Sequence, residues 1–277
     1  MRTAHYSRVF LTFFRNGLVR EMTFRGNFLL EILTSAFWFT AQVVLFQIIY
    51  RNVSAIQDWS REQYFAFMAT GMLINAIVEM FFMPNCAEFC ERIRTGDLDF
   101  VLLKPIDPQF LISFEKMDLT MVGQMAMAIG LLIHSLVRMA ATGQLANGIE
   151  PLSVLMYLFL IVAGVAFFYS LMLALACTSL WFGRNTGLYD FWFYVTAFAR
   201  YPASVYSGTP SGEILRFAFS YIVPILLVVT VPARVLLQMA LSPSWLTFLV
   251  FASSAAGLLV SRLIFTWSLT KYRSASS

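Results

Sequence analysis

Four long apolar segments constrain this chain of 277 residues more than any other feature. They cover residues 28–50, 64–83, 117–137 and 152–182, and each is long enough to cross roughly 30 Å of hydrocarbon as a helix. Hydrophobic residues make up 59% of the chain and charged residues only 12%, too few for the surface of a soluble domain of this size. The sequence therefore predicts an all-α, polytopic membrane protein with a single transmembrane domain over residues 1–277.

The distribution of Lys and Arg predicts the orientation. Five basic residues precede the first span, four lie in the loop after the second, and Arg184 follows the fourth, whereas the opposite side has three. By the positive-inside rule the N-terminus is cytoplasmic, and the basic residues near residue 271 favour a cytoplasmic C-terminus as well. The net charge of +4 is therefore interpreted as membrane orientation, and no nucleic-acid partner is expected.

Two cytoplasmic termini require an even number of crossings, yet three further apolar segments follow, at 186–206, 216–234 and 245–267. The middle one contains Pro224 and Pro232, and proline kinks or breaks a helix. We expect it to turn back inside an outer re-entrant region over residues 207–240, which leaves six spans. The alternative is a kinked span with the C-terminus outside.

Residues 1–27 are predicted to form a helix on the cytoplasmic membrane surface, in contact with lipid. Aromatic residues and Gly17 share one helical face, whereas Arg8 and Arg15 lie opposite, a pattern typical of interfacial helices. The shared face consists of Tyr6, Phe10, Phe13, Gly17 and Phe24. The alternative is a cytoplasmic extension of the first span.

The segment 84–116 concentrates charge in an otherwise apolar chain and is predicted to be a compact cytoplasmic docking loop. Gly96 permits a sharp turn after a charged helical segment, while Pro105 and Pro108 prevent a helix from continuing. Between them lies the apolar stretch 98–103, which is poorly suited to open solvent. A purely solvated charged segment would need neither the turn nor these apolar residues.

The sequence ERIRTGDLDFVLLKPIDP within this loop resembles the signature I-R-x-G-x-L-D-x-x-L-L-x-P-x-x-P of bacterial permeases of the type-2 ABC exporter superfamily. The similar branch has six spans and is often encoded as two permeases with one ATPase. The matching residues are Ile93, Arg94, Gly96, Leu98, Asp99, Leu102, Leu103, Pro105 and Pro108. The resemblance implies an N-terminal interfacial helix, a coupling helix in this loop and re-entrant helices before the last span.

The resemblance further implies a permease in the bacterial inner membrane that two cytoplasmic ATPase subunits drive. The three lysines do not form a G-x-x-x-x-G-K-[ST] motif, so ATP and Mg²⁺ are expected on the ATPase, and this chain is expected to hold no cofactor, metal or catalytic residue. The partner permease is an identical or a related chain. The residues expected to couple to the ATPase are Glu91, Arg92, Arg94, Gly96, Asp97, Leu98, Asp99 and Phe100, with Leu98 and Phe100 as apolar anchors.

A stripe along the second span suggests a substrate path. Residues 68, 72, 75 and 79 recur at helical spacing, and a carboxylate within a span normally faces protein or a water-filled path. Methionine and aromatic side chains suit varied amphiphilic ligands. The candidate path comprises Met68, Met72, Asn75, Glu79, Phe193 and Tyr194. Alternatively, Glu79 only reaches the interface or pairs with a basic residue.

Two other classes of function remain as alternatives. A membrane enzyme would need clustered histidines, acids or thiols at ligand spacing, but His5 and His134 have no partner in sequence. A secondary transporter would usually show repeat symmetry and paired intramembrane charges, and neither is evident.

Overall fold

The computed structural model describes residues 6–23, 25–145, 148–182, 187–241 and 243–272. Within these residues the chain is almost entirely helical, which confirms the all-α prediction. Five helices are long and apolar enough to cross a membrane, or six if one bent pair counts as a span. The chain is therefore a multi-pass membrane protein.

The elements of the first half, in chain order, are α1 (Tyr6–Thr23), α2 (Arg25–Asn52), β1 (Ala55–Ile56), β2 (Trp59–Ser60), α3 (Arg61–Phe81), α4 (Met83–Thr95), α5 (Leu98–Leu102) and α6 (Pro108–Phe114). Those of the second half are α7 (Met121–Ala141), α8 (Pro151–Cys177), α9 (Ser179–Phe182), α10 (Leu188–Ala199), a 3-10 turn (Ala203–Tyr206), α11 (Pro210–Phe217), a π-helical turn (Ala218–Ile222), α12 (Ile225–Leu236) and α13 (Leu246–Lys271). The five long spans are α2, α3 with α4, α7, α8 with α9, and α13.

The helices form a bundle with two distinct ends. One consists of residues 84–120, and we call it the basic end because it contains the four Lys and Arg residues of the loop after the second predicted span, although seven acidic residues lie there as well. The other, the hairpin end, consists of the antiparallel pair β1–β2 and the connection between α7 and α8. Hydrogen bonds join its parts: Ser60 Oγ donates to Gln144 Oε1 (3.3 Å), and Gln238 Nε2 donates to the Gly148 carbonyl (3.3 Å).

The centre of the bundle is α12, which packs between α3 and α8. Its residues 225–233 are all buried, although proline 232 lies within the helix. The close approach depends on Gly164 of α8, because a Cβ there would lie 3.0 Å from Val228 and 3.1 Å from Ile74. Gly257 gives α13 a similar approach to α8, since a Cβ there would lie 2.5 Å from Ser170 Oγ.

The bent pair consists of α11 with its π-helical turn and α12, which meet at 80°. Pro224 is the N-cap of α12 and separates the two helices. The pair begins just after Ser204, which accepts a hydrogen bond from Trp59 Nε1 (3.2 Å), and ends near Arg234, which pairs with Asp58. Both ends therefore lie at the hairpin end of the bundle, as a segment that turns back requires.

The predicted fifth span, 186–206, is helical over much less of its length than expected. Its helix α10 has 12 residues and continues only as the 3-10 turn, while Thr186 lies outside the described residues. Trp192 of α10 donates to Glu79 toward the basic end, and the Arg200 carbonyl accepts from Tyr64 at the hairpin end. This short segment therefore still joins the two ends.

Helix α1 packs on the basic end through the aromatic face predicted from sequence. The rings of Phe10 and Phe114 lie 5.7 Å apart, and those of Tyr6 and Phe110 lie 4.9 Å apart. Gly17 lies against Met117. Phe24, assigned to the same face, lies outside the described residues, as do residues 1–5. Much of the aromatic face of α1 is thus used for protein contacts.

Candidate functional site

A sharp turn at Gly96 presents a small surface at the basic end. Gly96 ends α4 with φ of +83°, a conformation in which a side chain would be strained. The chain then enters the short helix α5. We define the coupling surface, named after the role predicted for this segment from sequence, by five of the exposed side chains around this turn: Glu91, Arg94, Asp97, Phe100 and Leu103.

The apolar part of this surface differs from the sequence prediction. Leu98, predicted as an apolar anchor, is fully buried within the chain. Phe100 is 68% exposed and Leu103 is 81% exposed, so these two residues are the most exposed apolar side chains of the loop. The five-residue helix α5 has one buried side, and Leu98 and Val101 lie on it whereas Phe100 does not.

The charged part of the surface is divided between exposed and internal groups. Arg94 Nε donates to Glu91 Oε2 (2.8 Å), and Asp97 accepts from Thr95 Oγ1 (2.7 Å). Both pairs face solvent. The side chain of Arg92 is only 16% exposed, so this residue braces the loop more than it presents charge. Asp99 is half-buried beside the same turn.

An ion-pair network behind the surface fixes the loop. Arg92 donates to Glu115 Oε2 (2.8 Å) and lies 3.4 Å from Glu88, and Lys104 and Lys116 complete the network. Burial raises the pKa of Glu115, but the hydrogen bond and charge of Arg92 and the charge of Lys104 outweigh it, so this pKa lies below its ordinary value. The network therefore holds α4 and the 104–116 segment together.

Helix α6 is fastened to the spans beside it. Asp107 caps its first turn by accepting from the backbone N–H groups of Gln109 (2.9 Å) and Phe110 (3.2 Å). Arg262 of α13 donates to both oxygens of Asp107, at 3.1 and 2.7 Å. Tyr169 of α8 accepts from Gln109 Nε2 at 3.0 Å. The loop is thus tied to both α13 and α8.

A cavity of about 590 Å³ lies between α2, α3 and α10, and we call it the Met68 cavity. Its lining includes Met68, Met72, Asn75, Glu79 and Phe193, so the structure brings together five of the six predicted path residues. The sixth, Tyr194, is exposed and does not line it.

A second cavity of about 620 Å³ lies where α1 ends, α4 begins and α7 and α10 begin, and we call it the Asp118 cavity. Four carboxylates and one guanidinium line it, from Glu21, Glu31, Glu79, Asp118 and Arg20. Both cavities share Glu79, Tyr189 and Trp192. Trp192 Nε1 donates to Glu79 Oε1 (2.8 Å) in this shared wall.

Comparison with known proteins shows the family. The family described as ABC-2 family transporter protein matches residues 36–276, which is most of the chain. The chain belongs to this ABC-2 transporter family. It is therefore a transmembrane permease subunit of an ABC exporter, and a non-catalytic one. No curated protein and no solved structure matches it.

Sequence reasoning missed several residues of this ABC-2 permease. Arg262 is 155 positions from Asp107, so no local pattern links the two. Asp118, Glu21 and Glu31 come from three separate segments, and only the packing of α1, α2 and α7 brings them to one cavity. For the Asp118 cavity, the only indication in the sequence was the intramembrane carboxylate of Glu79.

Proposed function

We propose that this permease is one half of the membrane unit of an exporter that two cytoplasmic ATPase subunits drive. An ATPase subunit docks on the basic end of the chain. The observation that carries the proposal is the coupling surface: two exposed apolar side chains, Phe100 and Leu103, project beside charged groups from a loop that is braced from behind. Apolar anchors with a charged rim are typical of protein docking sites. ATP and Mg²⁺ would be held by the ATPase.

The contacts of the loop explain how motion of the ATPase would reach the spans. Helix α4 follows α3 with one intervening residue, Phe82, so displacement of the coupling surface acts directly on α3. The clamp between Asp107 and Arg262 connects the same loop to α13. Rigid-body displacement of these helices is the expected form of alternating access.

The Met68 cavity is the proposed route for an amphiphilic substrate. Met68, Met72 and Phe193 offer polarisable apolar surface, while Asn75 and Glu79 add polar groups along the same side of α3. The route lies between α3 and α10, whose ends reach both ends of the bundle. Tyr194 has no place in this route, because its side chain does not line the cavity.

The proposed orientation places the basic end in the cytoplasm of a bacterial inner membrane, with both termini inside and the hairpin end outside. Helices α11 and α12 then form the re-entrant region, and α1 lies on the inner surface. A second permease, identical or related, would complete the unit. The exposed sides of α2 and α7 are available for that partner or for lipid.

Co-expression with the ATPase of the same exporter tests the docking proposal. Replacing both anchors in the variant Phe100→Ser with Leu103→Ser should lower co-purification and transport, because each apolar side chain contributes about 1.5–3 kcal/mol when buried. Charge reversal at Arg94 or Asp97 should uncouple transport with a smaller loss of association, since the anchors remain.

The matched control is Phe248→Ser, because Phe248 is 73% exposed on the first turn of α13, away from the basic end. It should leave association with the ATPase unchanged. Normal association and transport by the double variant would exclude the coupling surface as the docking site.

A further inference from the structure

The two cavities adjoin each other but differ in chemistry. The Asp118 cavity has four half-buried carboxylates against one guanidinium, and that guanidinium, of Arg20, already pairs with Glu21 (3.0 Å). The Met68 cavity has mainly apolar, aromatic and uncharged polar side chains, and its charged lining residues are Glu79 in the shared wall and Arg200. A molecule lying across the shared wall would thus meet an acidic compartment on one side and a largely uncharged one on the other.

Glu79 stands at the boundary between the compartments. In the part of the chain that the structure describes, no ion pair includes this residue, and its partner is the neutral indole N–H of Trp192. The alternative in which Glu79 pairs with a basic side chain therefore has no support among the described residues. A carboxylate within a span without a basic partner is suited to a cationic ligand.

Two further carboxylates of the Asp118 cavity are oriented by neutral hydrogen-bond donors, whereas Glu21 is paired with Arg20. Asn27 Nδ2 donates to Glu31 Oε1 (2.5 Å), and the Thr120 backbone N–H donates to Asp118 Oδ1 (3.0 Å). These contacts fix the carboxylates without neutralising their charge. Clefts lined by one sign of charge concentrate ligands of the opposite sign.

The Met68 cavity contributes a separate observation. Asn75 Oδ1 is buried and has no hydrogen-bond partner among the described residues. An unpaired buried acceptor is costly, so a ligand whose largely apolar body carries one donor group would gain from contact with it. Trp192 and Tyr189, in the shared wall, add aromatic faces that attract cations.

We infer that the two cavities form one binding site for an amphiphilic cation, with the cationic head in the Asp118 cavity and the apolar body in the Met68 cavity. The Asp118 cavity lies where α1 ends and α2 begins, so the head would enter from the leaflet at the basic end. The inference rests on the proposed function for the direction of transport, whereas binding itself needs no ATPase.

Equilibrium binding to the full chain in nanodiscs tests the charge preference. The probes are dodecyltrimethylammonium and dodecyl sulfate, which share a tail and differ in head charge, and empty nanodiscs give the lipid background. We expect saturable binding of the cation and none of the anion. Glu79→Gln and Asp118→Asn should each weaken cation binding about tenfold or more, because each removes a negative charge that would face the quaternary ammonium head.

The matched control for charge is Glu213→Gln, because Glu213 pairs with Arg216 on α11 and lines neither cavity. Its cation binding should equal that of the wild type. If Glu79→Gln does not incorporate into nanodiscs, Asp118→Asn and Glu31→Gln decide the question in its place.

The Met68 cavity has its own test. Thr196 lines this cavity, so Thr196→Trp should fill it and weaken binding of the dodecyl cation, while Thr266→Trp, on an exposed position of α13, should not. Binding of the dodecyl cation should weaken at least tenfold, because several methylenes of its tail would no longer be buried in the cavity.

Three results would overturn the inference: no saturable binding of the cation, equal binding of cation and anion, or unchanged cation binding in both Glu79→Gln and Asp118→Asn. Unchanged binding in Thr196→Trp would exclude the Met68 cavity as the site of the tail.

Adding the ATPase to the same nanodiscs and measuring its association tests the proposed function separately from this binding site. Cation binding without ATPase association overturns only the docking proposal, and association without cation binding overturns only this site.

Discussion

At the scale of single residues, Asn85 joins the start of α4 to the end of the docking loop 84–116. Its amide nitrogen lies within 3.1 Å of the carbonyl oxygens of Phe81, Ser113 and Lys116, and its Oδ1 accepts from the Lys116 backbone N–H (2.8 Å). Asn85→Asp keeps the shape but sets an oxygen against three carbonyls. We expect a loss of roughly 2–3 kcal/mol and a thermal midpoint lower by roughly 5–10 °C in detergent.

The control for Asn85 is Asn52→Asp at the exposed end of α2, where the side chain makes one local bond to the Ile48 carbonyl (3.2 Å). Its midpoint should match the wild type. An Asn85→Asp protein as stable as wild type would show that these four contacts do not hold the loop.

At the scale of elements, α6 depends on the ion pair between Asp107 and Arg262. The hydrogen bond from Arg262 is the largest cause that holds the pKa of Asp107 below its ordinary value. A carboxyl whose pKa is lowered by folding stabilises the fold above its unfolded pKa, and that contribution is lost as the pH falls further. The stability difference between wild type and Asp107→Asn should therefore be largest near neutral pH and shrink below about pH 4.

A double-mutant cycle separates the ion pair from the cap at the start of α6. Combining Asp107→Asn with Arg262→Met should reveal a coupling of about 1 kcal/mol at neutral pH, typical of a partly exposed pair. The coupling, measured by thermal unfolding, should decrease as the pH falls below about 4, because protonation of Asp107 removes the ion pair. A coupling that is constant with pH would contradict the assigned role of the carboxylate.

At the scale of the whole molecule, the proposed orientation makes opposite ends accessible from opposite sides of the membrane. The three cysteines, at positions 86, 90 and 177, are all buried and free, so an impermeant maleimide should not label the native chain in intact cells. Ser54→Cys and Ser211→Cys, at exposed positions of the hairpin end and of α11, should be labelled from outside. Leu103→Cys should react only after the membrane is opened.

Each labelling variant serves as a control for the other two, because all three place a single new cysteine at an exposed position of the otherwise native chain. Labelling of Leu103→Cys in intact cells would reverse the orientation. Protection of Ser211→Cys in intact cells would refute an outer position for the start of the bent pair.

Local chemistry made much of this molecule predictable from its sequence. The length of an apolar segment is a property of neighbouring residues, so four of the five long spans were predicted within about four residues of their observed bounds, whereas the second continues to Thr95 instead of ending at residue 83. The turn at Gly96 and the start of α6 at Pro108 follow from backbone preferences of glycine and proline. The helical spacing on α3 likewise predicted one stripe, and that stripe lines one cavity.

Contacts between distant segments depend on packing and could not be read from any window of sequence. Leu98 and Phe100 are both apolar, and only the position of α5 against the bundle buries one and exposes the other. Helix α10 contacts residues far away in sequence, Glu79 through Trp192 and Tyr64 through the Arg200 carbonyl, and no local pattern links these pairs. The carboxylates of the Asp118 cavity come from α1, α2, α3 and the connection before α7, so only the tertiary structure could bring their charges together.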